Sequence, residues 1–173
     1  MNSRGELGRR DVPDPAYLKM LPKIGRQFCL DVNGIHGAEH WIRVYENGHR
    51  LAAVTGANVN VVLWFAILHD SCRVNNWSDR DHGPRAAAFA QRNRKDIDLS
   101  DEEFKLLVKA LSCHTRGCLP TADITVQTCL DADRLDIGRT GARPMASFLN
   151  TDAAKDEVLH GKAWTNRWAK RRR

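Results

Sequence analysis

One stretch of the chain is continuously apolar, so that a helix formed by it would be apolar on every face. This stretch constrains the fold more than any other segment. Eight consecutive apolar residues, 61–68, are followed at once by His69 and Asp70. A helix that is apolar all round has to be buried, so this segment predicts the central helix of the core. Imidazole and carboxylate are both metal-ligand types. The pair His69-Asp70 therefore predicts a site where the core opens onto a cleft.

Helical periodicity extends over nearly the whole chain from Pro15 onward, whereas the alternation typical of strands hardly occurs. We therefore predict an all-α fold, a bundle of about six to seven helices. The Ser100-x-x-Glu103 pattern is a capping box and indicates the start of one helix. The polar segment 71–81 predicts a surface loop over the site, with Trp77 as its anchor or as a stacking surface. The expected helices cover residues 16–30, 38–54, 58–70, 84–92, 100–114, 126–137 and 153–169.

The length of 173 residues suits one domain with its own core. We expect a flexible segment over residues 1–14, the folded domain over 15–161 and a basic tail over 162–173. Five cysteines without regular spacing, and no signal-peptide pattern at the start, predict a reduced, cytoplasmic protein. The apolar run is far shorter than the roughly 20 residues that a membrane span requires, so no membrane association is expected.

The basic charge of the chain is confined to its end. The net charge is +6, and residues 162–173 carry six Lys and Arg residues and no acid. The other 161 residues are formally neutral, which argues against a basic face that follows a nucleic-acid backbone. Nucleic acid is therefore expected as a partner only through this tail, and a solvated, frayed terminus is the simpler interpretation.

Four further ligand-type residues stand in local patterns along the chain: His40, His82, His114 and Asp133. In a helical bundle, such residues act together when facing helices bring them into the core. Together with His69 and Asp70, they occur in these contexts: His40-Trp-Ile-Arg-Val44, Ile67-Leu-His-Asp70, His82-Gly-Pro84, Ala110-Leu-Ser-Cys-His114-Thr115 and Asp131-Ala-Asp-Arg-Leu-Asp136.

In that order, over residues 36 to 138, these contexts resemble the HD superfamily of metal-dependent phosphohydrolases. The resemblance implies an HD-domain helical bundle whose core metal site is formed by His40, His69, Asp70 and Asp133. Asp133 rather than Asp131 matches the family's Ala-Asp before a basic residue and Leu. His82 and His114 match the extra pair of the dinuclear branch, and their contexts look most like the small bacterial enzymes that hydrolyse diadenosine tetraphosphate symmetrically.

The residue types agree with such a centre on chemical grounds. Imidazole and carboxylate suit divalent iron, manganese, cobalt or zinc, and a carboxylate such as that of Asp70 can bridge two ions. A pair of ions can activate a hydroxide and neutralise charge on a phosphoryl group. We therefore predict hydrolysis of a phosphoanhydride or phosphoester by a metal-bound hydroxide. The expected substrate is a nucleotide or a related small phosphorylated compound.

Asp70 and Arg73 are the predicted catalytic residues, and several residues are predicted to contact the substrate. Arg73 stands three residues after Asp70, where relatives often carry Lys; it would meet a phosphate oxygen but cannot donate a proton near neutral pH. Arg43 and Arg134 are secondary phosphate contacts, with a structural ion pair as the alternative for each. His36 precedes His40 by four residues, so it is either a ligand or, by preference, a residue that supports the ligands or contacts substrate.

Two other functions remain open from the sequence. Some HD proteins use the same six ligands to hold two iron ions and oxidise a substrate with oxygen, so a di-iron oxygenase is the enzymatic alternative. A catalytically silent module that binds nucleotide is the second alternative. The sequence predicts no oligomeric state.

Overall fold

The computed structural model describes residues 15–115 and 123–160. Within these ranges it forms seven α-helices and three short 3₁₀ helices, so the all-α prediction is confirmed. Only α7 is shorter than ten residues. The α-helices are α1 (Pro15–Gln27), α2 (Ala38–Thr55), α3 (Val59–Leu68), α4 (His82–Arg92), α5 (Asp101–Cys113), α6 (Ile124–Leu135) and α7 (Asp152–Leu159).

The apolar segment forms α3 and lies at the centre, in contact with α2, α5 and α6. Val61, Val62, Phe65 and Ala66 are fully buried there. Asn58 caps the helix, because its side chain accepts hydrogen bonds from the backbone N–H groups of the second and third residues after it. The helix thus begins at a polar surface and runs through the core to His69.

Local signals define the ends of several other helices. Ser100 and Glu103 form the predicted capping box at the start of α5. Asp123 and Thr151 cap α6 and α7 in the same way through their side-chain oxygens. At the end of α2, Gly56 has φ of 75°, a left-handed conformation that glycine adopts without steric cost.

Two glycines allow helices to approach each other closely. A Cβ atom on Gly48 of α2 would lie 2.4 Å from a methyl carbon of Val62 on α3. A Cβ on Gly83, in the first turn of α4, would lie 2.5 Å from the carbonyl oxygen of Leu111 on α5. Only glycine fits these contacts, and the second one brings the start of α4 against the end of α5.

Four local expectations are corrected. Helix α1 ends at Gln27 rather than at residue 30, and α7 ends at Leu159; the remainder of the predicted last helix, with Trp164 and Trp168, lies outside the described residues. Trp77 does not anchor the 71–81 loop, because 85% of its surface is exposed.

Cys113 is disulfide-bonded, so the prediction of a fully reduced chain is wrong there. In the described part of the chain, no helix has the length and hydropathy needed to cross a membrane.

Candidate metal centre

Two groups of ligand-type side chains meet where α2, α3, α4, α5 and α6 converge. His40, His69 and Asp133 form one group, which we call the first triad. Asp70, His82 and His114 form the other, the second triad. In each triad the three ligand atoms lie within 4.8 Å of one another. The structure therefore brings all six predicted metal ligands together, although they are spread over 94 residues of the sequence, from His40 to Asp133.

The first triad is built from the ends and inner faces of three helices. Nε2 of His40 on α2 lies 2.9 Å from Nε2 of His69, which directly follows α3. Oδ1 of Asp133 on α6 lies 3.4 Å from the His40 nitrogen and 3.7 Å from the His69 nitrogen. Both imidazoles are fully buried, so this triad faces away from bulk solvent.

The second triad depends on the contact between α4 and α5. Nε2 of His82, the first residue of α4, lies 2.8 Å from Nε2 of His114, which directly follows α5. Oδ1 of Asp70 lies 3.0 Å from the His82 nitrogen and 3.9 Å from the His114 nitrogen. The close approach at Gly83 therefore has a functional consequence, since it places these two imidazoles side by side.

Asp70 connects the two triads. While its Oδ1 atom faces His82 and His114, its Oδ2 atom lies 3.5 Å from Nε2 of His40 and 3.7 Å from Nε2 of His69. One carboxylate oxygen is thus directed to each triad. Asp70 could therefore contribute a ligand oxygen to a cation at either triad.

The four ligand-type imidazoles are held in one orientation. In each ring Nδ1 is hydrogen-bonded on the side away from the centre, to Asp136 for His40, Ala66 for His69, Asp79 for His82 and Leu111 for His114. An outer acceptor of this kind fixes the ring and leaves Nε2 available as a ligand. Four imidazole Nε2 atoms and two carboxylates therefore converge on the centre. This set of ligand atoms fits divalent transition metals.

The protonation of these groups agrees with cation binding. Burial lowers the pKa of His69 to about 3, so its imidazole is neutral at physiological pH. Burial alone would also lower the pKa of His40, but hydrogen bonds with Asp133 and Asp136 outweigh it and raise that pKa. Burial opposes ionisation of Asp70 and Asp133, yet the surrounding histidines hold the pKa of both carboxyls well below the usual range. The two ionised carboxylates and the neutral His69 imidazole are thus in the protonation states of metal ligands, whereas a cation at His40 would displace a proton.

A cleft of about 440 Å³ opens beside the two triads. Arg73 and Arg139 line it near the centre, and Arg80 and Trp77 line it toward solvent. The volume is within the range typical of small-molecule sites. The positive side chains along its wall are suited to an anionic ligand.

The predicted substrate-contacting residues have different positions. Arg73 lines the cleft, with Nη1 3.5 Å from Oδ1 of Asp70. His36 also lines it, and its Nδ1 donates a hydrogen bond of 2.8 Å to Oδ2 of Asp70, so it supports a ligand rather than acting as one. Arg43 donates to Asp136 and Arg134 lies 3.8 Å from Asp131; neither lines the cleft, which agrees with the structural alternative for both.

Two residues acquire a role that their sequence context did not specify. The side chain of Arg139 lies in the cleft beside Asp70 and Asp133. Arg80 belongs to the 71–81 loop and also lines the cleft. Arg139 is carried by the short 3₁₀ helix Ile137–Thr140, which follows α6 and lines the cleft.

An all-α bundle whose helices bring two histidine-aspartate triads together defines the class of protein, an all-α protein with a candidate metal centre. Residues 37–138 match the HD domain family, and the chain therefore belongs to that family. No curated protein sequence matches the chain. The chain is similar to a crystal structure described as a predicted HD superfamily hydrolase from an uncultured Thermotogales bacterium, with a TM-score of 0.64, 21% identity and 90% of each chain covered. At this identity the likeness concerns the fold.

Proposed function

We propose that this protein is a metal-dependent phosphohydrolase that cleaves a phosphoanhydride or phosphoester bond of a nucleotide or a related small phosphorylated compound. The observation that carries the proposal is the position of Asp70, which directs one carboxylate oxygen to each triad. His40, His69 and Asp133 would hold one divalent ion, and His82 and His114 the other. When bound, such ions supply an activated water molecule and neutralise charge on phosphoryl oxygens.

The residues around the centre have complementary roles. His36 donates to Asp70 and keeps its carboxylate oriented. Arg73 is itself held in place, because its Nε and Nη2 atoms donate to the carbonyl oxygens of Asn75 and Trp77 at 3.0 and 2.7 Å. Nη1 lies at the cleft, 3.5 Å from Oδ1 of Asp70 and 3.2 Å from Nε2 of His82. There it would bind a phosphate oxygen once His82 holds a cation. Because guanidinium stays protonated, Arg73 binds and orients substrate and does not serve as a general acid.

The nucleotide part of the proposal is supported by Trp77. Its indole is 85% exposed and lines the cleft. An exposed aromatic face next to a phosphate site offers a stacking surface for a base. Replacing such an aromatic residue by alanine typically costs about 1–3 kcal/mol of binding free energy. The resemblance of the His82 and His114 contexts to the diadenosine tetraphosphate hydrolases makes dinucleoside polyphosphates the first substrates to test.

The first test is metal content per chain, measured by plasma mass spectrometry on protein purified without chelators or an affinity-tag metal. We expect two transition-metal ions per chain in the wild type and a lower content in a His82→Ala, His114→Ala double variant. His49→Ala, His160→Ala is the matched control, because both residues are exposed and lie outside the triads. One ion in the wild type, unchanged in the His82, His114 variant, would contradict a dinuclear centre.

The second test is turnover without oxygen. Metal-loaded protein is incubated anaerobically with nucleotides and dinucleoside polyphosphates, and released phosphate and nucleotide are quantified. A hydrolase turns over under these conditions, whereas a di-iron oxygenase does not. We expect Asp70→Ala and Asp133→Ala to abolish turnover. Intact turnover in either variant would contradict the mechanism, and tight nucleotide binding without turnover would favour the silent binding module.

A further inference from the structure

The guanidinium of Arg139 is buried at the wall of the cleft with one of its donors unused. Its side chain is only 6% exposed. Nη1 donates to the carbonyl oxygen of Asp136 at 3.2 Å. Nε is buried, and no acceptor for it exists among the residues that the structure describes. A buried N–H group without an acceptor is costly, so this donor indicates that a ligand supplies the acceptor.

The position of Arg139 relative to the triads points to the same conclusion. Nη2 lies 3.7 Å from Oδ1 of Asp133 and 4.0 Å from Oδ2 of Asp70, beyond hydrogen-bond distance in both cases. The guanidinium therefore lies beside one carboxylate of each triad without being bonded to either. Two divalent cations would outweigh these two aspartates, and a permanent cation at this position would then repel them unless an anion lay between.

Arg139 differs in this respect from Arg73. The Nε and Nη2 atoms of Arg73 are engaged by backbone carbonyls of its own loop. In Arg139 only Nη1 donates to a backbone carbonyl among the described residues, so Nε and Nη2 can donate to a ligand. The adjacent Nε and Nη2 donors of a guanidinium match two oxygens of a phosphate in geometry.

We propose that Arg139 is a further catalytic residue, one that donates hydrogen bonds to the non-bridging oxygens of the phosphoryl group that reacts. The proposal rests on the proposed function in one respect, namely that the ligand of the centre is a phosphoryl anion. Arg139 would strengthen its hydrogen bonds as negative charge on these oxygens increases in the transition state. No proton is transferred from it, because its guanidinium stays charged.

The test uses inorganic phosphate as the probe and isothermal titration calorimetry on manganese-loaded protein. In the Arg139→Gln variant we expect phosphate affinity to fall about 10- to 100-fold, as for the loss of charged hydrogen bonds. We expect Arg139→Lys to recover part of it, because the charge remains while the planar donor pair is lost. Arg94→Gln is the matched control, since Arg94 also donates to backbone carbonyls but lies outside the cleft.

A second readout separates phosphate binding from a merely structural role. Removal of a cation beside Asp70 and Asp133 should leave manganese bound as tightly in Arg139→Gln as in the wild type, or a few-fold more tightly. A structural role would instead weaken manganese and phosphate binding together. That joint loss would overturn the proposal, as would unchanged phosphate affinity in Arg139→Gln or no phosphate binding by the wild type at millimolar concentration.

The same measurements distinguish this inference from the proposed function. Turnover in the wild type that persists unchanged in Arg139→Gln would overturn the role of Arg139 and leave the hydrolase proposal standing. Phosphate binding that depends on Arg139, in a protein without any turnover on the nucleotide panel, would support Arg139 as the anion-binding residue and contradict the hydrolase. With an active substrate, we expect kcat/KM of Arg139→Gln to fall about 100-fold or more.

Discussion

Oδ2 of Asp136 accepts a hydrogen bond of 2.7 Å from Nδ1 of His40. The other oxygen of the same carboxylate accepts from Nε of Arg43 at 2.8 Å. Asp136 is 4% exposed, so this pair of contacts lies behind the first triad, away from the cleft. Arg43 thus orients a carboxylate that in turn orients a ligand-type imidazole. A carboxylate in this position fixes the histidine ring and makes its inner nitrogen a stronger ligand.

We expect Asp136→Ala to weaken metal binding at the first triad by about 10- to 100-fold, the usual effect of losing such a partner. Asp136→Asn should retain part of the affinity, because an amide oxygen can still accept from Nδ1 of His40. Competitive titration with a fluorescent zinc chelator measures both variants. Equal metal affinity in wild type and Asp136→Ala would show that His40 needs no partner.

The contact at Gly83 leads to a prediction about the second triad. A Cβ there would meet the carbonyl oxygen of Leu111 at 2.5 Å and Nδ1 of His114 at 3.1 Å. We expect Gly83→Ala to push α4 from α5, to lower the free energy of unfolding by about 1–3 kcal/mol and to reduce metal content by up to one ion per chain. Urea denaturation and plasma mass spectrometry check the two effects.

Gly25→Ala is the matched control for this substitution. Gly25 lies within α1, and a Cβ there would meet nothing within 4 Å. Alanine favours a helix interior over glycine by about 0.5–1 kcal/mol, so this variant should be slightly more stable than the wild type, with unchanged metal content. The Gly83 interpretation fails if both alanine variants behave alike.

Asp131 and Asp133 belong to the same helix but should respond differently to substitution. Asp131 is fully buried and accepts hydrogen bonds from the backbone and side chains of Asn150 and Thr151, which immediately precede α7. We expect Asp131→Ala to reduce the free energy of unfolding by on the order of 3 kcal/mol without loss of ligand atoms. Asp133→Ala should instead abolish metal binding at the first triad with a smaller effect on apoprotein stability.

Metal content and urea denaturation, measured on both aspartate variants, decide this prediction. The assignment of Asp133 as the ligand would be contradicted by a loss of metal in Asp131→Ala together with full metal content in Asp133→Ala. The effects of the two single substitutions can be compared directly, because the carboxylates of Asp131 and Asp133 share no contact that the structure describes.

The capping box of α5 predicts a pH dependence of stability. The backbone N–H of Ser100 and then the side chain of Asn58 donate to Glu103, and they lower the pKa of its carboxyl below the ordinary 4.5. A carboxyl whose pKa is depressed by folding stabilises the protein above its unfolded pKa, and that contribution disappears as pH falls through the folded pKa. The stabilisation is therefore complete at neutral pH and lost in acid.

The Glu103→Gln variant removes this ionisation while keeping an acceptor for the cap. We expect it to be less stable than the wild type at pH 7 and the difference to shrink at about pH 3. Urea denaturation at the two pH values measures the change. Glu102→Gln is the matched control, since Glu102 lies in the same helical turn and its one ion pair among the described residues is a long contact of 3.9 Å with Lys105. An equal difference at both pH values would contradict the role of the carboxylate.

Much of the fold could be predicted from the sequence because its signals are local. Apolar periodicity identified the helices, the continuous apolar run identified α3 as central, and side-chain caps such as Ser100 acted through neighbouring backbone groups. The chemical types of the six ligand residues were also present in the sequence. Their assignment to one centre needed the family resemblance, because spacing along a chain does not state which helices face each other.

Tertiary structure alone decided how these residues are used. The division into two triads, the connection through Asp70 and the outer acceptors of the four histidines depend on contacts between residues distant in sequence. Arg43, Arg134 and Arg139 carry the same side chain, but of these three only Arg139 lines the cleft, on the 3₁₀ helix that follows α6. The physical reason is general: capping and amphipathicity act over a few residues, whereas a ligand set is defined by distances that only the packed core determines.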